Sequence, residues 1–147
     1  MSFQEKKSLV YLSTVIIIFI YFWLNVFPQH PSAGASAEDL LRFWGRTFLL
    51  WIGVQIVANI VTHILFSIIN DILTKEKEPK LKDERDKLFD LRVARNSSTV
   101  FLIGFLLAMI PPVIGLPPVV MFNMLIFSGL IAQIIGSLTE FFSYRRG

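Results

Sequence analysis

The sequence predicts an all-α membrane protein in which four antiparallel transmembrane helices form one domain. The chain of 147 residues is 54% hydrophobic, its apolar residues lie in four long uncharged runs, and its basic residues collect between alternate runs. Such runs are typical of transmembrane helices, because a bilayer core of ~30 Å needs about 20 apolar helical residues. We predict spans at 9–27, 47–70, 98–114 and 119–142, with a cytoplasmic segment at 74–96.

The first span, 9–27, holds no charged residue and follows a pair of lysines. As a helix it is about 28 Å long, close to the thickness of the bilayer core. A cleaved signal peptide is the alternative, because Ala35-Ser36-Ala37 resembles a small-x-small cleavage site. The length of the run and the presence of Trp23 favour a retained span over a signal core.

The second span is preceded by a helix start at Ser36, with Asp39 at the spacing of a capping box. Arginine and aromatic residues then alternate, a pattern typical of the lipid headgroup region: Arg42, Phe43, Trp44 and Arg46. Pro111 and Pro112 end or kink the third span. The uncharged turn at 111–118 predicts a tight helical hairpin into the fourth span.

The distribution of basic residues predicts the orientation. Of the 14 Lys and Arg residues, all but Arg42 and Arg46 lie at the two termini or within 74–96. Cytoplasmic loops carry the excess of Lys and Arg, so both termini and this segment should be cytoplasmic. A bacterial inner membrane fits this arrangement.

Polar side chains on one face of the second span, with single residues from two other spans, predict an intramembrane polar layer: Thr14, Gln55, Asn59, His63 and Gln133. One interpretation is that these residues hydrogen-bond neighbouring helices to each other. The other is a small polar cavity for a ligand or a proton, with His63 as the titrating group. The two histidines lie toward opposite sides of the membrane, so the sequence predicts no metal site.

Segment 74–96 predicts an amphipathic cytoplasmic helix that continues into the third span. Asp83, Asp86 and Asp90 share one face, and the opposite face is basic and apolar: Leu81, Arg85, Leu88, Arg92 and Arg95. The arginines suit lipid phosphates. The acidic face suits solvent, a docking partner or, at helical spacing, a divalent cation. Near the end of the fourth span, Glu140 is expected to pair with an arginine: Arg92, Arg95, Arg145 or Arg146.

The run Asp83-Glu84-Arg85-Asp86, followed by Asp90, Arg92 and Asn96-Ser97-Ser98 directly before a hydrophobic span, resembles a group of small bacterial four-span membrane proteins of unknown function. The similarity covers about residues 70–147 and includes the ending Tyr144-Arg145-Arg146-Gly147. Members of this group are often encoded beside small helix-turn-helix regulators. The resemblance therefore implies a cytosolic transcriptional regulator as partner, and it implies no catalytic residue.

The sequence favours a non-enzymatic regulatory or interaction protein that docks its partner through the acidic face. It has no cysteine, no recognisable catalytic set, no Gly-rich phosphate loop and no nucleic-acid-binding module, so neither a cofactor nor direct nucleic-acid binding is expected. Membrane lipid and further copies of the chain are the other expected partners. The alternative is a small oligomeric transporter or channel with a path along Gln55, Asn59, His63 and Gln133. A membrane-embedded enzyme is the third hypothesis.

Overall fold

The computed structural model describes residues 3–32, 34–74 and 83–146. It contains five α-helices: α1 (Phe3–Asn25), α2 (Ala37–Thr74), α3 (Glu84–Ala108), α4 (Ile110–Val113) and α5 (Pro118–Arg146). The described residues form no strand, which confirms the all-α prediction. Within them, α1, α2, α3 and α5 give four helical stretches that are long and apolar enough to cross a membrane.

The start of α2 is stabilised as the sequence predicts. The backbone N–H of Asp39 donates to the Ser36 hydroxyl at 3.2 Å, and this hydroxyl donates to the Asp39 carboxylate at 2.7 Å. Glu38 pairs with Arg42 one turn later. These local contacts satisfy a backbone donor that the first helical turn leaves without a partner.

α3 begins with a capping box in which Asp83 is the N-cap and Asp86 is the reciprocal residue. The helix then continues without a break to Ala108. The described part of the predicted cytoplasmic helix and the third span are therefore one continuous helix, as the sequence indicated. Residues 75–82 of the predicted segment, including Leu81, lie outside the described residues.

The connection from α3 to α5 is a short turn built around two prolines. α4 spans only Ile110–Val113, with Pro111 buried and Pro112 exposed. Gly115 follows with a φ of 78°, a conformation that disfavours every residue with a Cβ atom. Nine residues, from Met109 to Pro117, separate α3 from α5.

α5 lies at the centre of the bundle and packs against α1 and α3, whereas α2 packs chiefly against α1. Phe3 contacts Phe66 and Phe89 contacts Tyr144, with ring centroids 5.2 and 5.1 Å apart. We name this end of the bundle the Tyr144 end. The other end, where α2 approaches the start of α5, is the Trp44 end.

An aromatic cluster closes the Trp44 end. Its buried members come from the first two long helices, the turn between them and α5: Phe22, Phe27, Trp44, Trp51, Phe122 and Ile126. Trp44 has no exposed surface and stacks on Phe122 with an interplanar angle of 9°. Large aromatic side chains bury more surface than other side chains do. This cluster is therefore the main hydrophobic core of the bundle.

α3 and α5 approach each other more closely than the other helices do. A Cβ atom added to Gly104 would lie 2.5 Å from the Ser128 Cβ atom, which is closer than side chains can pack. The Ser97 hydroxyl donates to the Ala132 carbonyl at 3.0 Å, and Asn96 donates to the Thr139 hydroxyl at 3.3 Å. Small residues permit this approach and polar ones bridge it.

Candidate functional site

A cavity of about 610 Å³ lies between the four long helices, in the half of the bundle toward the Tyr144 end. Its polar lining comes from all four of them: Lys7, Tyr11, Asn59, Thr62, His63, Ser97, Gln133, Ser137 and Glu140. Apolar side chains fill the remaining wall. A concave, mostly apolar space with a few convergent polar groups is typical of small-molecule sites.

Two interhelical hydrogen bonds form the wall between α1 and α2. Asn59 donates to the Tyr11 hydroxyl at 3.3 Å. The Thr14 and Thr62 hydroxyls lie 3.4 Å apart. These bonds fix the polar face of α2 against α1, which supports the helix-bridging interpretation for part of the predicted layer.

The α5 wall follows one helix face at spacings of three and four residues. Gln133, Gly136, Ser137 and Glu140 all line the cavity. A Cβ atom added to Gly136 would lie 3.5 Å from the Ser97 Cβ atom, an ordinary van der Waals distance. α3 and α5 are therefore in contact where they line the cavity.

Several buried amide atoms have no hydrogen-bond partner among the described residues. They are the Asn59 Oδ1 atom, the Gln133 Oε1 atom and both polar atoms of the Gln55 amide. An unpaired buried polar group costs about 1–3 kcal/mol. Asn59 and Gln133 belong to the cavity wall, so a ligand that brings N–H or O–H donors would relieve part of that cost.

The structure brings together three of the five residues of the predicted polar layer. Asn59, His63 and Gln133 line the cavity. Thr14 contributes through Thr62, whereas Gln55 is 5% exposed and lies outside the set of lining residues. Three residues of the predicted layer therefore form part of the cavity wall, and the other two, Thr14 and Gln55, lie outside it.

Sequence reasoning assigned Thr14 of α1 to the polar layer but missed Lys7 and Tyr11 of the same helix. Lys7 and Tyr11 line the cavity, and together with Thr14 they follow a spacing of i, i+4, i+7. That spacing places them on one face of a helix. The signal was present in the sequence, but Lys7 served only to mark the membrane boundary.

Two charged residues, Lys7 and Glu140, line the cavity toward the Tyr144 end. The predicted pairing of Glu140 with Arg92, Arg95, Arg145 or Arg146 stays a prediction. Arg85 and Arg92 instead lie over the Phe89 ring, at 5.2 and 5.9 Å from its centroid. Their side chains are exposed, and the predicted contact with lipid headgroups stays a prediction.

The three acidic residues proposed for partner docking have different environments. The Asp83 and Asp86 carboxylates cap the start of α3. Asp86 also interacts with the Tyr144 hydroxyl of α5. Asp83 and Asp90 are exposed, whereas Asp86 is half-buried. Asp86 therefore packs toward α5, whereas the exposed carboxylates, Asp83 and Asp90, lie at the start and in the second turn of α3.

A second space adjoins the cavity. It is a groove of about 700 Å³ between α2 and α3, with α5 as its floor. Ser97 and Gln133 line both spaces. Large apolar side chains line the rest of the groove: Phe48, Trp51, Ile52, Phe101, Leu102 and Leu125.

No protein-family model, curated protein or solved structure matches this chain. The chemistry of the site must therefore be argued from its own residues. Within residues 3–32, 34–74 and 83–146, no group of three His, Asp or Glu side chains is placed to hold a metal ion. The cavity is suited instead to an organic molecule with both polar and apolar parts.

Proposed function

We propose that this chain is a multi-pass protein of the bacterial inner membrane, with its four long helices antiparallel and both termini in the cytoplasm. Contacts between elements distant in the sequence support the arrangement, because they join the start of one helix to the end of another: Phe3 with Phe66, and Phe89 with Tyr144. The Tyr144 end then faces the cytoplasm, where the basic residues collect.

The absence of cysteine from the chain makes this orientation directly testable. We expect Lys87→Cys to be protected from a membrane-impermeant maleimide in intact cells and labelled after permeabilisation. Ser32→Cys, on the turn before α2, should be labelled in intact cells. Both positions are exposed, so the comparison needs no unfolding. Labelling of both positions in intact cells would contradict the proposed orientation.

The proposed activity is regulatory and non-enzymatic. The protein binds a small amphiphilic molecule in the cavity and captures a cytosolic helix-turn-helix regulator at the start of α3. One observation supports the link between the two sites. α3 lines the cavity at Val93 and Ser97 and continues without a break from its acidic cap. A ligand that moves this helix therefore moves the docking surface as well.

Partner capture can be tested with neutral variants that keep the helix cap. Asparagine replaces aspartate well at an N-cap, whereas lysine would remove the cap and confuse lost docking with a frayed helix. We expect the triple variant Asp83→Asn, Asp86→Asn, Asp90→Asn to lose most of the regulator that co-purifies with the wild-type protein in mild detergent. Mass spectrometry of the purified complex gives the amount.

The matched control for this experiment is Asp71→Asn. Asp71 is an exposed carboxylate near the Tyr144 end of α2, so its neutralisation changes the net charge without touching α3. Recovery of the regulator should stay at the wild-type level. If the triple variant recovers as much regulator as the wild-type protein does, the acidic face is not the docking site.

A small transporter is the second candidate, because three residues of the predicted path line the cavity. Beyond the cavity, however, the buried rings of Trp44, Trp51 and Phe122 fill the Trp44 end. A transporter would have to open this cluster in every cycle. Solute or proton flux in proteoliposomes that disappears with His63→Ala would favour transport over regulation.

A further inference from the structure

The cavity offers a ligand fewer polar groups than line it. Lys7, His63 and Glu140 already take part in interactions within the chain, so these three side chains are not counted toward ligand binding. Because both charged side chains are engaged, the cavity has no counter-charge for an ionic ligand, and burying an unpaired charge is costly. The ligand should therefore be uncharged.

Three of the four hydroxyls in the cavity wall have also donated their protons. Ser97 and Ser137 each donate to a backbone carbonyl of α5 at 3.0 Å. The Thr14 hydroxyl donates to a backbone carbonyl of its own helix, so Thr62, with its oxygen 3.4 Å from that of Thr14, is the donor in the pair that they form. These three wall hydroxyls can donate to a ligand only if one of these bonds breaks.

One donor and two acceptors remain for a ligand. The Tyr11 oxygen accepts from Asn59, and its own proton has no acceptor among the described residues. The Asn59 Oδ1 and Gln133 Oε1 atoms have no donor there either. Gln133 is half-buried and can turn its carbonyl toward the cavity, because the last side-chain torsion of glutamine is broad. A primary carboxamide is the complement of this set, since it carries two N–H donors and one carbonyl acceptor.

We propose that the cavity binds one primary carboxamide that carries an apolar body. Its N–H groups donate to Asn59 and Gln133, and its carbonyl accepts from Tyr11. The cavity of about 610 Å³ leaves room beside the amide for an aliphatic chain or a ring, and apolar side chains line that room: Val10, Ile60, Ile64, Phe66 and Val93. This inference rests on the proposed function, in which the cavity binds a small amphiphilic molecule.

Binding of radiolabelled probes to the full-length protein in lipid nanodiscs tests this assignment, with empty nanodiscs as the measure of partition into lipid. The probes share one chain and one carbonyl: dodecanamide has two N–H groups, N-methyldodecanamide has one and methyl dodecanoate has none. We expect one saturable site per chain for dodecanamide. Its affinity should exceed that of the ester at least about tenfold, with the N-methyl amide between them, because each lost N–H leaves a buried acceptor unpaired.

Gln133→Met removes one acceptor at nearly constant size. It should lower the affinity for dodecanamide about fivefold and leave that for methyl dodecanoate unchanged. Gln55→Met is the matched control and should change neither affinity, because Gln55 is a buried amide outside the cavity. Equal binding of the three probes to the wild-type protein overturns this inference, whether or not Gln133→Met folds, and leaves a cavity that binds ligands without this preference. Absence of saturable binding also overturns it, and the docking function is then decided separately by the capture experiment, which uses no added ligand.

Discussion

Gly104→Ala is expected to destabilise the bundle by about 1–3 kcal/mol, the usual cost of overpacking a close contact. The new methyl group would lie 2.5 Å from the Ser128 Cβ atom and 3.3 Å from its Cα atom, so the backbones of α3 and α5 must separate. Elsewhere in a helix, the same change stabilises by up to about 1 kcal/mol. Thermal unfolding in detergent, followed by circular dichroism, measures the difference.

Two further variants distinguish the steric effect of the contact with Ser128 from the general effect of replacing glycine by alanine in a helix. Gly53→Ala lies in α2 with no atom within 4 Å of the new Cβ, and we expect it to unfold at or slightly above the wild-type temperature. Adding Ser128→Gly to Gly104→Ala removes the obstructing side chain and should restore part of the lost stability, because the Cα atom of residue 128 would still lie 3.3 Å from the new methyl group. If Gly104→Ala and Gly53→Ala behave alike, the close approach of α3 and α5 is wrong.

Gln55→Leu is expected to act in the opposite direction and stabilise the protein by about 1–3 kcal/mol. Gln55 is 5% exposed, and neither polar atom of its amide has a partner among the described residues. Leucine has a similar size and carries no polar group to desolvate. The same detergent unfolding experiment should therefore show a higher midpoint.

Asn59→Leu is the matched comparison, one turn further along the same helix. Its amide donates to the Tyr11 hydroxyl, and leucine would leave that hydroxyl without this bond. We expect a lower midpoint for Asn59→Leu. If both leucine variants lower the midpoint equally, Gln55 has a polar partner, such as an ordered water molecule, and the prediction fails.

Much of the fold could be predicted from the sequence because it depends on local patterns. The start of α2 follows from the spacing of Ser36 and Asp39, and the hairpin before α5 follows from Pro111 and Pro112. Four apolar runs of sufficient length predict four long helices without any knowledge of their neighbours. Each of these features depends on residues that lie within a few positions of each other.

Features that depend on helix pairing could not be predicted in the same way. A tryptophan between two arginines fits the lipid headgroup region as well as it fits a buried core. Only the position of α5 shows that Trp44 is buried. Gly104 and Ser128 are unremarkable until α3 lies on α5. The same holds for the cavity, because Lys7 and Glu140 come from opposite ends of the chain and line one space only when α1 packs against α5.

The pairing of the four interhelical hydrogen bonds described above has a consequence for biogenesis. Two of them, Tyr11 with Asn59 and Thr14 with Thr62, join α1 to α2. The other two, Asn96 with Thr139 and Ser97 with Ala132, join α3 to α5. Under the proposed membrane location, each helix pair, α1 with α2 and α3 with α5, can satisfy the polar groups of these four bonds as soon as it enters lipid.

One contact between these two helix pairs, between Phe19 and Phe127, is apolar. Lipid tails are as apolar as these rings, so the hairpins gain little from docking except close packing. Assembly of this protein should thus proceed in two separable steps, insertion of each hairpin and then their union around α5.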